Sequence, residues 1–258
     1  MKVLQVSQYF YYLVKYSSTG KIAYKLTQAL SKRGIEVDLL TTDFKSQVKI
    51  SGCLRVYHAN LFKIYVFYVP KIFDVLNICF PSCYNKLEEV IRKYDLIHIH
   101  EYLSPLNLYI VNIAKKYNIP FVIQPHGAIL YPYFEESANF VYKIVRIALD
   151  RLTGFKILNN AKAVFTMAQI EERILRSLSI TSKFIRIFNA IDPKEYSFEH
   201  QDHCFRKRLG IGNDEFLMLY LGRKVPVKGL DLLIRAIHRL KQKYGITKPI
   251  KLVIAGPP

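Results

Sequence analysis

Residues 95–124 read DLIHIHEYLSPLNLYIVNIAKKYNIPFVIQ. The first run, DLIHIH, and the last, PFVIQ, are short and mostly apolar, as strands buried on both faces of a parallel sheet are. Between them, residues 106–116 carry apolar side chains at helical spacing. A strand, a helix and a second strand in this order predict a βαβ crossover, because parallel neighbours must be joined across a face of the sheet.

The same alternation extends along the chain on both sides of this unit. It predicts an α/β fold in which a first Rossmann-like domain is built on a parallel sheet. Strand patterns occupy residues 2–7, 36–41, 163–167 and 184–188, and helix patterns occupy residues 20–33, 138–159 and 170–179.

A polar segment at residues 189–203, NAIDPKEYSFEHQDH, interrupts the alternation. Beyond it, strand patterns at 216–222 and 250–255 flank a helix pattern at 230–244. We therefore expect a complete N-terminal domain over residues 1–190 and a linker over 191–204. Residues 205–258 are expected to form the first βαβ unit of a second, incomplete Rossmann-like domain. Since one such unit has little core of its own, we expect it to be loosely attached or to need further sequence.

The composition favours an acidic partner. The 258 residues are 51% hydrophobic and carry a formal net charge of +18. Such a charge suits nucleotide diphosphates, an anionic membrane surface or nucleic acid, although solvated cations that only maintain solubility explain it equally well. No recognisable nucleic-acid-binding motif accompanies the charge, so we expect no nucleic-acid partner.

The cysteines give no sign of a metal site. Cys53, Cys79, Cys83 and Cys204 form no CxxC pair and have no clustered histidines beside them. We interpret all four as reduced thiols of a cytoplasmic protein, and we expect no metal ligands. Met1 leads straight into a strand pattern, so the order of segments typical of a cleavable signal is missing.

One region resembles a membrane segment in composition. Residues 61–84, LFKIYVFYVPKIFDVLNICFPSCY, are strongly apolar, but charges and two prolines interrupt them. A spanning helix needs about 20 uninterrupted apolar residues, so the pattern argues against spanning and leaves a surface-lying amphipathic element as an alternative. The aromatic loop at 9–16 and the basic helix at 138–159 are the other membrane-facing candidates, with simple packing or solvation as the alternative.

A histidine and a glycine follow a buried strand. His126 and Gly127 come directly after PFVIQP, and ligands of open parallel sheets bind beyond the carboxyl ends of the strands. His126 is therefore placed to contact a substrate, and Gly127 permits close approach of the backbone. His98 and His100 share one face of their strand and are interpreted mainly as packing or sheet-end residues. Glu101, just after them, is a weaker candidate for substrate contact.

The loop after the first strand is a second candidate site. It is rich in aromatics, Tyr11 among them, and ends in Ser17-Ser18-Thr19-Gly20 before a helix. Serine or threonine can cap the helix, and glycine lets an anionic or hydroxyl-rich ligand approach its N–H groups. An ordinary strand–helix loop explains the same residues. The absence of GxGxxG argues against a nicotinamide cofactor.

The loop at residues 219–229, LYLGRKVPVKG, lies between a strand pattern and a helix pattern. Arg223 offers a planar fork for phosphate oxygens, and Lys228 offers a mobile point charge. Gly229 then opens a helix whose N-terminal dipole also favours anions. Two cations here can stabilise the charge that develops on a diphosphate leaving group. A basic loop that is only solvated is the alternative.

In these segments the chain resembles a family-4-type retaining glycosyltransferase of the GT-B fold. No single motif is specific, but seven occur in the family's order over nearly the whole chain. They are KRGIEVDLLTT, YDLIHIHEY, PFVIQPHGAIL, AVFTMAQIEERILRSLSI, IRIFNAIDPKEY, LGRKVPVKGLDLLIRAI and KLVIAGPP.

The resemblance implies two Rossmann-like domains, the N-terminal one for the acceptor and the C-terminal one for a nucleotide-diphosphate-sugar donor. It implies transfer of the sugar to a glycan or lipid-linked acceptor with retention, without a metal or cofactor. His126 is then the candidate catalytic residue. The implied donor contacts are Arg223, Lys228, Gly20 and Gly229, and the implied acceptor contacts are Thr19, Tyr11, Gly127 and Glu101.

The chain departs from the family pattern in three places. Thr19-Gly20 stands where the family often has two glycines, and Ala190 replaces the glycine of the hinge segment. The family's Glu-x7-Glu segment, which holds the donor sugar and ribose, would lie beyond residue 258.

The departures leave two functions open. The first is a cytoplasmic glycosyltransferase, active at the inner face of a membrane where its acceptor is lipid-linked. The alternative is a truncated, non-catalytic remnant or subunit that binds acceptor or membrane and needs a partner chain for activity.

Overall fold

The structure is a computed structural model that describes residues 1–10, 18–46, 50, 52–72, 83–129, 140–195, 197, 202–245 and 247–256. The chain divides into two compact units, the first ending at Ala190 and the second beginning at Ile191.

The first unit is built on one sheet. In the described part of the chain, eight strands pair in the order β3-β4-β2-β1-β5-β6-β7-β8. All neighbours are parallel except β3 and β4. The strands are β1 Lys2–Tyr9, β2 Glu36–Thr42, β3 Leu54–His58, β4 Lys63–Phe67, β5 Leu96–His100, β6 Phe121–Gln124, β7 Ala163–Thr166 and β8 Phe184–Arg186.

Helices connect the parallel strands, as the sequence pattern predicts. Ser104 caps the crossover helix between β5 and β6 by accepting a hydrogen bond from the Asn107 N–H, and Pro105 occupies its first turn. Among the described residues of this unit, the helices are α1 Ser18–Lys32, α2 Tyr84–Ile91, α3 Pro105–Lys116, α4 Phe140–Leu149, α5 Phe155–Asn160 and α6 Gln169–Ser177.

The sheet is buried on both faces. Leu39 and Leu40 are neighbours in β2 but belong to two different hydrophobic clusters, because successive side chains of a strand point to opposite faces. The larger cluster includes Ile97 and Ile99 of β5 and receives Ile110 of α3. The smaller one receives Ala23 of α1. This arrangement holds the central strands rigidly enough to position side chains at their ends.

The apolar segment at residues 61–84 is not a membrane-lying element in its described part. Residues 63–67 form β4, which pairs with β2 and β3, and Val66 and Phe67 are fully buried. The apolar side chains of β4 at Ile64, Val66 and Phe67 therefore face the core of the protein. Residues 73–82 lie outside the described residues. No helix in the described ranges combines the length and apolar character that crossing a bilayer requires.

The interpretation of all four cysteines as reduced thiols is wrong for two of them. A disulfide joins Cys53 and Cys83, whose Cα atoms lie 6.0 Å apart. The two residues are separated by 30 positions, so no local spacing motif announces the pair. Cys53 lies just before β3, and Cys83 lies just before α2. The disulfide therefore joins the starts of these two elements.

The long helix predicted over residues 138–159 is interrupted. A π-helical turn, Asp150–Gly154, separates α4 from α5. At Gly154 an added Cβ would overlap the phenol of Tyr102. The helix therefore needs a glycine there to pack against the loop that follows β5.

The second unit has a small parallel sheet. In the described residues, β9 Phe216–Leu221 pairs in parallel with β10 Ile250–Ala255, and α8 Leu230–Tyr244 connects them. No residue of α8 is buried. A further helix, α7 Asp202–Arg208, begins inside the segment expected to be a linker.

Replacing Gly154 by alanine tests the packing of the π-helical turn. The added methyl overlaps Tyr102, so Gly154→Ala should lower the free energy of unfolding by about 1–3 kcal/mol, the usual cost of overpacking. Leu152→Ala in the same turn removes a side chain that is 65% exposed and should change it by less than about 0.5 kcal/mol. Urea unfolding of both variants measures the difference; equal stability would contradict this packing.

Candidate active site

The carboxyl ends of β1, β5 and β6 carry a cluster of polar side chains. Since the three strands are adjacent and parallel, their ends lie at one edge of the sheet. Ser7 and Gln8 come from β1, His100 ends β5 and Glu101 follows it, and His126 lies after β6. This is the edge at which ligands of open parallel sheets bind.

His126 is held in a special conformation beside His100. Its backbone φ is 53°, a left-handed value that residues other than glycine rarely adopt. The His126 Nε2 and the His100 Nδ1 lie 3.0 Å apart. Residues at sparsely populated backbone angles cluster at functional sites, so the geometry agrees with the role that its position suggests.

His100 links His126 to the interior of the sheet. Its Nε2 lies 2.7 Å from the side-chain oxygen of Gln5, and both residues are almost completely buried. The ring of His98 packs 4.2 Å from the ring of His100. The interpretation of His100 as mainly a packing residue therefore misses its hydrogen bonds to two neighbours.

The three histidines are neutral at physiological pH. Burial lowers the pKa of His98 to about 3 and that of His126 to about 4, since a buried imidazolium loses its hydration. The pKa of His100 lies well below its usual value, mainly from burial and further from the neighbouring histidines. The edge therefore presents neutral hydrogen-bonding groups here, not cations.

Glu101 ties β5 to β1. Its two carboxyl oxygens accept hydrogen bonds from the Gln8 N–H at 2.8 Å and from the Ser7 hydroxyl at 3.3 Å. Burial raises its pKa to about 8 against these two hydrogen bonds, which lower it. Both carboxyl oxygens thus have partners within the protein, and the acceptor contact expected from Glu101 stays a prediction.

Glu171 of α6 positions the loop that carries His126 and Gly127. The Gly127 N–H donates to one carboxylate oxygen at 3.2 Å, and the Met167 N–H donates to the other at 2.8 Å. Glu171 is 2% exposed. It thereby links the loop after β6 to the end of β7. Glu171 was not among the residues predicted from the sequence, although an acidic residue in the first turn of a helix is a recognisable capping signal.

A second support comes from α4. The Arg146 guanidinium donates to the Ala128 carbonyl at 3.3 Å and to the Asp150 carboxylate at 3.1 Å. Asp150 is fully buried, and burial raises its pKa while Arg146 opposes the rise. The π-helical turn begins at Asp150. Arg146 and Glu171 therefore hold the His126 loop from two sides.

The residues expected at the first loop lie at the start of α1. Thr19 is half-buried and Gly20 is buried in the first turn. The helix begins at Ser18, so Gly20 lies inside it and not before it. Tyr11 lies outside the described residues.

The basic loop of the second unit joins β9 to α8. Arg223 and Lys228 are exposed, and in the described part of the chain neither has a carboxylate partner. Gly229, with φ 66°, is the N-cap of α8. The expected placement between a strand and a helix start is confirmed, while the ligand contacts stay a prediction.

Two other features bear on the choice of site. Within the described ranges, no group of three or more histidine, cysteine, aspartate or glutamate side chains is arranged to hold a metal ion. A cavity of about 390 Å³ lies at the opposite, amino-terminal edge of the sheet, lined in part by Lys2, Glu36 and Asp38. The Asp38 carboxylate there already accepts hydrogen bonds from the Lys63 N–H and the Tyr94 hydroxyl.

Two family models match the chain. Residues 19–195 match Glycosyltransferase Family 4, and residues 202–258 match Glycosyl transferases group 1. The chain belongs to Glycosyltransferase Family 4. The resemblance stated from the sequence motifs is thereby confirmed, and the matches lie on the two compact units in order.

Curated relatives are distant in sequence. An uncharacterized glycosyltransferase of Methanocaldococcus jannaschii is 23% identical over 90% of this chain and 57% of its own length. The phosphatidylinositol N-acetylglucosaminyltransferase GPI3 subunit of Saccharomyces cerevisiae is 22% identical over 90% of this chain and 48% of its own. The chain thus spans about half the length of these relatives.

Solved structures support the fold. The catalytic domain of Arabidopsis thaliana starch synthase IV, bound to ADP and acarbose, covers all of this chain and 74% of its own with a TM-score of 0.62 at 14% identity. Anabaena HepE in complex with UDP-glucose covers 99% of this chain and 69% of its own with a TM-score of 0.57 at 14% identity. The expected GT-B fold class is confirmed.

Replacing Glu171 tests how the loop that carries His126 and Gly127 is held. Glu171→Gln puts an amide N–H₂ against a backbone N–H donor, so one buried donor loses its acceptor and the free energy of unfolding should fall by about 1–3 kcal/mol. Amide exchange at Gly127 and Met167 should accelerate. The neighbouring Glu172→Gln removes partly exposed ion pairs with Arg176 and Arg186 and should cost less than about 1 kcal/mol.

Urea unfolding and amide hydrogen exchange measure both effects. If Glu171→Gln and Glu172→Gln behave alike, the buried carboxylate does not hold the loop.

Proposed function

We propose that this protein is a glycosyltransferase that moves a sugar from a nucleotide-diphosphate-sugar donor to a glycan or lipid-linked acceptor, with retention and without a metal. The observation that carries the proposal is His126, held neutral and rigid at the ligand-binding edge of the sheet, in a chain of Glycosyltransferase Family 4. Such a group suits a sugar, which presents many hydroxyls and no charge.

The donor diphosphate is assigned to the loop between β9 and α8. Arg223 and Lys228 are exposed cations without carboxylate partners among the described residues, so no internal ion pair has to break before phosphate binds. Gly229 at the N-cap adds the partial positive charge of a 15-residue helix. As the bond to the sugar breaks, negative charge grows on the diphosphate, and the two cations stabilise it.

The sugar and the acceptor are assigned to the edge of the first unit. His126 contacts the transferred sugar, and the Gly127 backbone lies beside it. Thr19 and Gly20, in the first turn of α1, and Tyr11, which lies outside the described residues, are assigned to the acceptor or the donor phosphate in this proposal. Glu101 is assigned to the acceptor as well, through a carboxyl group that also accepts hydrogen bonds from Ser7 and Gln8.

A lipid-linked acceptor at a cytoplasmic membrane face is supported by two observations. The GPI3 relative acts, by its name, on phosphatidylinositol. In this chain, α4 and the turn after it expose a stripe of large apolar side chains next to basic ones. The apolar members are Phe140, Val141, Ile144, Val145, Leu149 and Leu152, each at least 45% exposed. The exposed basic neighbours are Arg151 in the turn and Lys156 in α5.

This stripe has the composition of a helix that lies in a membrane interface, with apolar side chains toward the acyl chains and cations toward anionic headgroups. The same surface supports the second candidate function, a subunit that binds membrane or acceptor and relies on a partner chain for activity. Nucleotide binding and turnover separate the two.

We expect the protein to bind a nucleoside diphosphate through Arg223 and Lys228. Calorimetric titration with UDP, GDP and ADP should identify a preferred nucleotide. Arg223→Gln or Lys228→Gln should weaken its binding by about tenfold or more, because each removes a charge-assisted hydrogen bond worth about 1.5–3 kcal/mol. Lys224→Gln, an exposed cation of the same loop, should have an effect of about twofold or less.

Equal losses of affinity in all three variants would show that the loop acts only through its net charge.

Release of nucleoside diphosphate from the matching nucleotide sugar then measures turnover, and binding without turnover would favour the subunit function.

We expect the stripe on α4 to bind anionic vesicles. Sedimentation with vesicles of phosphatidylcholine and phosphatidylglycerol should remove the protein from solution, less so at high salt. The double variant Ile144→Asp/Val145→Asp should weaken partitioning by about tenfold or more, since it removes apolar surface from the interface. Ile170→Asp, an exposed apolar residue of α6, serves as the control, and an equal loss there would contradict the assignment.

A further inference from the structure

We propose that Gln5 and His100 are positioning residues that hold His126 in a single neutral tautomer, with hydrogen on Nε2 and a bare Nδ1 that accepts a hydroxyl O–H from the sugar. The inference rests on the proposed function for the identity of the ligand. The tautomer itself follows from contacts within the first unit.

The hydrogen-bond chain begins at Gln5. The Gln5 side-chain oxygen lies 2.7 Å from the His100 Nε2, and a carbonyl oxygen can only accept. The His100 Nε2 therefore carries a hydrogen and donates it. Gln5 is 1% exposed and His100 is completely buried, so water does not compete for this hydrogen bond.

The next link follows from the charge of His100. A neutral imidazole has one N–H and one bare nitrogen, and burial keeps His100 neutral. Its Nδ1 is therefore bare and accepts from the His126 Nε2, 3.0 Å away. His126 is also neutral, so once its Nε2 carries the hydrogen, its Nδ1 is bare.

The bare Nδ1 is an acceptor without a partner. It is withdrawn from solvent, and no group in the described part of the chain hydrogen-bonds to it. A buried polar atom without a partner costs about 1–3 kcal/mol, which a ligand donor would recover. A sugar hydroxyl donates such a bond, whereas an ionised phosphate oxygen only accepts and is repelled by the lone pair of Nδ1.

The backbone that follows His126 and the ring of His100 are held by further contacts. The Gly127 N–H binds Glu171, and the Ala128 carbonyl binds Arg146. The ring of His98 packs against His100. The tautomer is therefore set from the interior of the sheet. Gln5 acts through His100, and it thereby determines that the His126 Nδ1 accepts a hydrogen bond from the ligand.

Ring-nitrogen NMR of the full 258-residue chain tests the tautomer directly. Two-bond proton–nitrogen correlations should show His126 with a protonated Nε2 and a bare Nδ1. Gln5→Met, similar in volume but without the acceptor, should convert His126 to a mixture of tautomers. His100→Asn keeps a carbonyl oxygen for the His126 Nε2–H and should retain the single tautomer, whereas His100→Leu should lose it.

A protonated Nδ1 in the unmodified protein, or an unchanged single tautomer in both Gln5→Met and His100→Leu, would overturn the proposal. Near-ultraviolet circular dichroism identifies any variant that does not fold. If neither Gln5→Met nor His100→Leu folds, the tautomer of His126 in the unmodified protein decides the assignment.

The consequence for binding is measured separately. The measured quantity is the affinity for a nucleotide sugar divided by the affinity for its nucleoside diphosphate. In Gln5→Met this ratio should fall about 3–10-fold, which is the contribution of one hydrogen bond. The affinity for the diphosphate alone should not change. Equal weakening of both ligands would overturn the sugar assignment. If the unmodified protein binds neither ligand, the proposed function fails, whereas the tautomer measurement still stands.

Discussion

The parallel alignment of β1, β5 and β6 is the constraint on which the site depends. Parallel neighbours end at one edge, so Gln8, Glu101 and His126, far apart in sequence, come together there. Both faces of the sheet are covered by apolar clusters. Polar side chains that enter such a sheet must hydrogen-bond to one another. Gln5, His100 and His126 do so in series, and the His126 Nδ1 at the end of the series is left without a partner among the described residues.

The two units offer a ligand opposite kinds of surface. The histidines at the edge of the first unit are neutral, because burial lowers their pKa. The loop of the second unit carries Arg223 and Lys228 exposed to water. A nucleotide-diphosphate sugar has the same division, with an uncharged sugar at one end and a charged diphosphate beside it, and this match underlies the proposed assignment of each surface.

The alternation of strands and helices, the ends of β5 and β6, and the placement of Arg223 could all be predicted because local patterns determine them. The Cys53–Cys83 disulfide and the burial of β4 could not, since both depend on contacts between distant segments. His126 was recognisable from its strand, whereas Glu171 acts through a contact 44 residues away. Supporting residues of this kind carry only a weak local signal, such as an acidic first turn.

Backbone amide chemical-shift mapping during titration with UDP-, GDP- and ADP-sugars tests the central assignment most directly. The account predicts that the sugar nucleotide which binds perturbs Gly127 at the edge of the first unit and Gly229 in the basic loop, and that the free nucleoside diphosphate perturbs Gly229 alone. Shifts confined to the opposite edge of the sheet, around Lys2, Asp38 and Lys63, would contradict it.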